Sequence, residues 1–128
     1  MRAPSSYDYA LIRVVPSVER GECLNVGVIL FCRTLRFLDV RIHLDQERLR
    51  TLAPDLDMAA VQRQLDDIVH ICKGDQQAGQ LGRMSQSERF HWLVSPRSTI
   101  IQPSSVHMGL SANPEKTLDH LLKTMVYR

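Results

Sequence analysis

The chain is poor in the residues that usually announce chemistry. Its three cysteines, Cys23, Cys32 and Cys72, are an odd, widely spaced set with no C-x-x-C, which argues against a disulfide framework or a zinc site. The histidines, His43, His70, His91, His107 and His120, follow neither H-x-x-x-H nor H-E-x-x-H spacing, so no bound metal is expected. There is no G-x-S-x-G elbow, and the glycines of "GDQQAGQLG" follow a helix instead of bridging a strand to one, so neither a nucleophile nor a phosphate loop is marked. No cofactor is expected. Polar residues interrupt every apolar run well short of a membrane span, and the opening "MRAPSSYDYALIRVV" lacks the apolar stretch of a signal peptide. Together these absences predict a soluble, cytoplasmic protein with no membrane partner.

Excess charge of one sign is missing too. Sixteen basic residues face 14 acidic ones, a net charge of +2 that is too even to advertise nucleic acid or anionic lipid. Most of the cations are arginines, however, and arginine suits forked contacts with phosphate or carboxylate. A local basic patch stays open, although a GC-rich genome produces the same bias.

What is present is an ordinary globular balance of 44% hydrophobic and 23% charged residues in 128. A chain of this length suits one domain over 1–128 and buries roughly two-thirds of its unfolded surface. "YDYALIRVV" (7–15) reads as a strand inside a sheet, apolar on both faces except at Arg13. "PSVERG" (16–21) is a connection, and residues 22–32 form a second strand. On it Leu24, Val26, Val28, Leu30 and Cys32 point one way, and Cys23, Asn25, Gly27, Ile29 and Phe31 the other. "RFLDVRIHL" (36–44) alternates most cleanly, with Leu38, Val40, Ile42 and Leu44 inward, and "RTL" makes it a hairpin with its predecessor.

The period then changes. A short helix is predicted from Gln46 to about Leu52, ended by Pro54. Asp57 caps a longer one that buries Val61, Leu65, Ile68 and Cys72 and closes at Gly74. Residues 74–84 read as a mobile loop. Ser85 and Glu88 fit a capping box, while Phe90, Trp92 and Val94 also fit strand alternation. "STIIQP" is a short strand, and Asn113–Pro114 opens a final helix with an apolar stripe of Leu118, Leu121, Leu122, Met125 and Val126. The predicted architecture is α+β: a mostly antiparallel sheet that opens with a three-strand meander, with helices packed on one face.

If the first two strands pair, Arg13 and Asn25 share a sheet face, with Arg20 and Glu22 at its rim. One reading makes Arg13, Arg20, Glu22 and Asn25 a polar binding site over Gly27, whose missing side chain admits a ligand or partner backbone. The other makes Glu22 part of an ordinary ion pair with Arg13 or Arg20, and Asn25 and Gly27 the marks of a β-bulge. A second cluster holds Arg89, His91, Arg97 and Ser98, which can meet an anion, with Trp92 expected in the core and a stacking platform as the other reading. Cys32 and Cys72 fall on apolar stripes, and Cys23 stands beside a carboxylate, the wrong neighbour for an activated thiol.

The stretch "YALIRVVPSVERGECLNVGVILF", with "ERFHWLVSPRSTIIQPSSVHMGL" downstream, resembles the bacterial domain-of-unknown-function family 3037 from Tyr7 to about Val126. The family's R-x-x-P…R-x-E-x-x-N-V-G-V-I pattern falls on Arg13, Pro16, Arg20, Glu22, Asn25, Val26, Gly27, Val28 and Ile29. Its second block falls on Phe90, Leu93, Pro96, Arg97 and Gln102. The resemblance carries no activity, cofactor or catalytic residue, and implies that the polar residues of the first block belong to the family's pattern. Members of such families are sometimes encoded beside kinases of the HipA toxin type, which implies a partner-protein role with such a kinase as candidate.

The function expected is therefore a non-enzymatic protein-interaction module that uses the polar sheet face around Arg13, Arg20, Glu22, Asn25 and Gly27, continued by Arg97. The alternative is a phosphate-recognising or nucleic-acid-processing protein, with Arg13, Arg20 and Arg97 as anion contacts and Glu22 as general base. A homodimer that pairs an exposed sheet edge is the third option.

Overall fold

The computed structural model describes residues 3–17, 20–97 and 99–127. β1 (Ser5–Ser17), β2 (Glu22–Cys32) and β3 (Phe37–Ile42) form the predicted antiparallel meander. β4 (Ile101–Pro103) and β5 (His107–Ser111) both pair antiparallel with β1, on the side away from β2. β1 is therefore interior to the sheet, as its two apolar faces require.

β4 and β5 behave as two halves of one edge strand. Ile12 lies opposite Pro103 and Tyr9 opposite His107, so one extra residue is accommodated between the halves. Ser104 holds the joint. Its backbone N–H donates to the Leu11 carbonyl (2.8 Å), and its Oγ, in a side chain only 6% exposed, accepts from the Leu11 N–H (2.8 Å). A buried amide left without a partner costs about 1–3 kcal/mol, and the hydroxyl removes that cost where the ladder breaks.

Helices cover both faces. α1 (Gln46–Leu52), α2 (Met58–Lys73) and α3 (Gln86–Leu93) bring Leu49, Val61, Leu65, Phe90 and Leu93 onto Ala10, Ile12, Val14, Ile29, Phe31 and Val40. α4 (Pro114–Met125) brings Leu118, Leu121 and Leu122 onto Leu11, Val28, Leu30 and Cys32 on the opposite face. The α+β class and the antiparallel meander match the sequence reading, whereas the placement of helices on one face holds for α1–α3 and not for α4. The reason lies in β1 and β2, whose alternate residues are apolar on both sides. A second layer is needed to take those residues out of water.

The caps are those the sequence marks. Asp57 accepts from the Ala60 N–H (3.1 Å), and Gly74 closes α2 at φ 69°, a left-handed backbone that glycine adopts without steric cost. Ser85 and Glu88 form both halves of a capping box, which decides the region around Phe90 as helix and not strand. The Ser85 amide and hydroxyl hold the Glu88 carboxyl below its usual range. Asn113 caps α4 with Pro114 as its first residue.

Residues 74–84 are not the open loop predicted: Gln76–Arg83 winds into 3₁₀ turns broken at Gly79, with Asp75 as N-cap. His70 Nδ1 lies 2.8 Å from Asp75 Oδ2, and this bond, foremost among its causes, lowers the Asp75 pKa. β5 is an addition the sequence reading lacks.

Candidate functional site

The site begins with a bulge. Ile12 pairs with Gly27 but Arg13 pairs with Asn25, so Val26 is an extra residue on β2. The predicted stripe of β2 therefore splits. Leu24 and Val26 enter the α1–α3 layer with Ile29 and Phe31, while Asn25 falls on the α4 side with Val28, Leu30 and Cys32. Arg13 follows it, and its Nε donates to Asn25 Oδ1 (3.2 Å). The Asn25 amide then donates to the Met125 carbonyl at the end of α4 (3.2 Å), where an unpaired carbonyl needs a donor. Arg13 and Asn25 thus share a face as predicted, and there they tie the sheet to a helix end.

Gly27 is not an opening for a ligand. A Cβ built there would lie 2.8 Å from the Arg41 carbonyl oxygen and 3.2 Å from Ile42 Cγ1, so the missing side chain serves the close approach of β3.

Arg20 and Glu22 form an ion pair (Nε to Oε1, 2.8 Å), with the arginine 72% exposed, a geometry worth about 0–1 kcal/mol. They lie on the other side of the sheet's end, lining a hollow of about 370 Å³ with Leu52, Ala53 and Asp55. Arg97 lies on the α2–α3 face beside Ile12, Ile29 and Ile101, away from Arg13. Its guanidinium stacks 4.7 Å above the Trp92 ring and donates to the Trp92 carbonyl (2.6 Å), so Trp92, 40% exposed, is not the core residue expected but a stacking platform for a residue of its own chain. The three arginines proposed as anion contacts therefore turn to three different partners.

The second cluster is occupied by backbone. Arg89 donates to the Met84 carbonyl (2.6 Å) and the Cys72 carbonyl (3.5 Å), its Nε buried without a partner among the described residues. His91 Nδ1 lies 2.6 Å from the Ser87 carbonyl. Ser98 lies outside the described residues. No grouping of three or more His, Cys, Asp or Glu suited to a metal ion occurs among them either, and no helix among them is long and apolar enough to cross a membrane.

What the sequence reading does not anticipate is the edge. β2 starts at Glu22, but β3 reaches back only to Gly27, after which His43 N–H donates to the Val26 carbonyl and the chain turns into α1. Among the described residues, the outer side of Glu22–Asn25 thus has no neighbouring strand. Two hollows flank it and share Leu24 and Arg48 as walls. One, of about 550 Å³, is lined by Cys23, Glu47, Thr51 and Leu52. The other, of about 220 Å³, is lined by Asn25, His43, Asp45 and Tyr127. His43 and Tyr127 meet edge to face with centroids 4.4 Å apart. The exposed guanidinium of Arg48 stands between the hollows, without a hydrogen bond or ion pair among the described residues. Nothing in the spacing of His43, Asp45 and Arg48 marks this convergence, which depends on β3 ending two residues sooner than its alternation suggests.

The walls offer backbone donors and acceptors, carboxylates, one free cation and a thiol. Cys23 is exposed, whereas Cys32 and Cys72 are buried. Burial pushes the Cys72 thiol up to about 12, more than nearby Arg89 and Arg41 offset. We expect one fast-reacting thiol per native chain with Ellman's reagent at pH 8 and three in denaturant. Two or more fast thiols in the native protein would contradict this burial pattern.

A family model described as a protein of unknown function, DUF3037, matches residues 9–126. No curated protein and no solved structure matches the chain.

Proposed function

We propose a function on the premise that the chain belongs to the DUF3037 family of proteins of unknown function, a description that assigns no activity. It is a non-enzymatic interaction module that takes an extended segment of a partner protein along the free edge of β2. One observation carries this proposal: Glu22–Asn25 runs past the end of β3 and leaves backbone groups facing two hollows. In strand addition the edge backbone supplies affinity, and pockets for alternate side chains supply specificity. Leu24 gives the groove an apolar floor, Arg48 a charge to read, and Arg20 and Glu22 bound its far end. Of the polar residues in the family's first block, Asn25 lines the groove and is held by Arg13, whereas Arg20 and Glu22 pair beyond its far end on the other side of the sheet.

A kinase of the HipA toxin type, the partner suggested by the family resemblance, is the first to test. Arg48→Glu, on an exposed helix face, and alkylation of Cys23 with a bulky maleimide should each weaken binding at least tenfold and leave the circular dichroism spectrum unchanged. A photoreactive maleimide on Cys23 should cross-link to a short stretch of the partner. Undiminished binding by both altered proteins would refute the groove, and stabilisation by nucleotides or oligonucleotides that fades with salt would favour phosphate recognition instead.

A further inference from the structure

The other end of the sheet carries a second unprotected edge, distinct from the β2 groove. β5 pairs with β1 on one side, and among the described residues no strand lies on its other. Met108 is 75% exposed and Leu110 73%, with Val106 beside them at 42%. Large apolar side chains on a bare edge invite pairing, and natural sheets blunt such edges with charge, proline or a bulge. β3, at the opposite edge, has this protection in Asp39 and Arg41, whereas "HMGLS" has no formally charged residue and no proline.

We propose that β5 pairs with β5 of a second copy of this chain, antiparallel about a two-fold axis at Gly109, so that one sheet runs through both molecules. Self-complementarity argues for that occupant. In this register Gly109 faces Gly109, Met108 faces Leu110 of the other copy, and His107 faces Ser111. The exposed apolar pairs close over one face and the polar pairs share the other. No like charges meet, since Asp8, the nearest carboxylate on β1, stands one strand back from each β5. Across two intervening strands the two Asp8 residues are at least about 14 Å apart, beyond a Debye length at physiological salt. Tyr7 already occupies the space over Gly109, so the polar face is filled by the chain's own side chain and pairing adds only the backbone ladder and the apolar quartet. A five-residue strand pair with that quartet is smaller than a standard-size interface, so the dimer is expected to be weak and to build up with concentration.

Light scattering across roughly 5–500 μM should show the mass rising from the 14.6 kDa chain toward twice that value. The double variant Met108→Glu/Leu110→Glu, at positions too exposed to affect folding, should shift the midpoint at least tenfold or abolish the dimer. In a Cys23→Ser background, Met108→Cys/Leu110→Cys should form an intermolecular disulfide on oxidation, whereas Met108→Cys alone should not, because its opposite number is Leu110. A wild-type protein that stays monomeric throughout, or a charged variant that dimerises as before, overturns the proposal. Loss of the dimer with undiminished partner binding at the β2 edge separates this interface from the groove.

Discussion

Phe90→Ala should destabilise the protein by about 3–5 kcal/mol, lowering the urea midpoint with little change in slope. Phe90 is 1% exposed and leads the fully buried side chains in volume. Its ring meets Phe31 of β2 at 5.3 Å, and with Leu93 it docks α3 on the sheet. Truncation loses the transfer free energy of the ring, the stacking term of about 0.5–1.5 kcal/mol, and the packing around the void. Folded domains have roughly 5–15 kcal/mol of stability in total, so a large share of the margin goes. A cost below 1 kcal/mol would mean that α3 does not dock as described.

Gly27→Val should cost about 3 kcal/mol and, unlike Phe90→Ala, should also impair partner binding in whatever folded protein remains. The new Cβ meets the Arg41 carbonyl at 2.8 Å, a backbone atom of the neighbouring strand that cannot swing aside. The strand pair must open or the bulge at Val26 must shift. That bulge is what sends Asn25 to α4 while Leu24 stays on the other face. Moving it by one residue would exchange the faces on which the groove's walls lie. Wild-type stability together with wild-type affinity in this variant would show that the register is not fixed here.

Much of this was legible in the residues. The alternation of β3 and the capping pairs Asp57/Gly74, Ser85/Glu88 and Asn113/Pro114 are local signals that appear where the sequence places them, though β3 stops at Ile42. In α2, Val61, Leu65 and Cys72 are buried as expected, while Ile71 is buried and Ile68 only partly so. The family resemblance held over residues 9–126. Non-local features were hidden. Apolar residues on alternate sides of β1 and β2 signal burial on both faces, but not which helix covers which. β5 is too short and too glycine-bearing to read as a strand until β1 lies beside it. Leu24 to Cys32 looks like one stripe because a bulge leaves no mark in hydrophobic period. For the candidate residues, the sequence showed that Arg13 and Asn25 could meet, but the pairing of Arg20 with Glu22 remained one of two readings, and the groove depended on where β3 stops.

The attachment of α4 shows how an ion pair and a stripe divide the work. Arg41 on β3 reaches Asp39 (2.6 Å) and Asp119 of α4 (3.0 Å), with Glu115 at 3.7 Å. Burial works to lower the Arg41 pKa, but Asp39 and Asp119 outweigh it and raise the value. The carboxylates orient the helix, and Leu118, Leu121 and Leu122 supply the burial.

That helix also follows, in chain order, every strand it covers. At roughly 5–20 residues per second on the ribosome, the meander is complete several seconds before α4 is available. During that time Leu11, Val28, Leu30 and Cys32 form a wet greasy wall on a half-made protein. A nascent chain stalled before Pro114 accordingly lacks the helix that covers this face, and transiently exposed apolar surface of this kind is prone to aggregate.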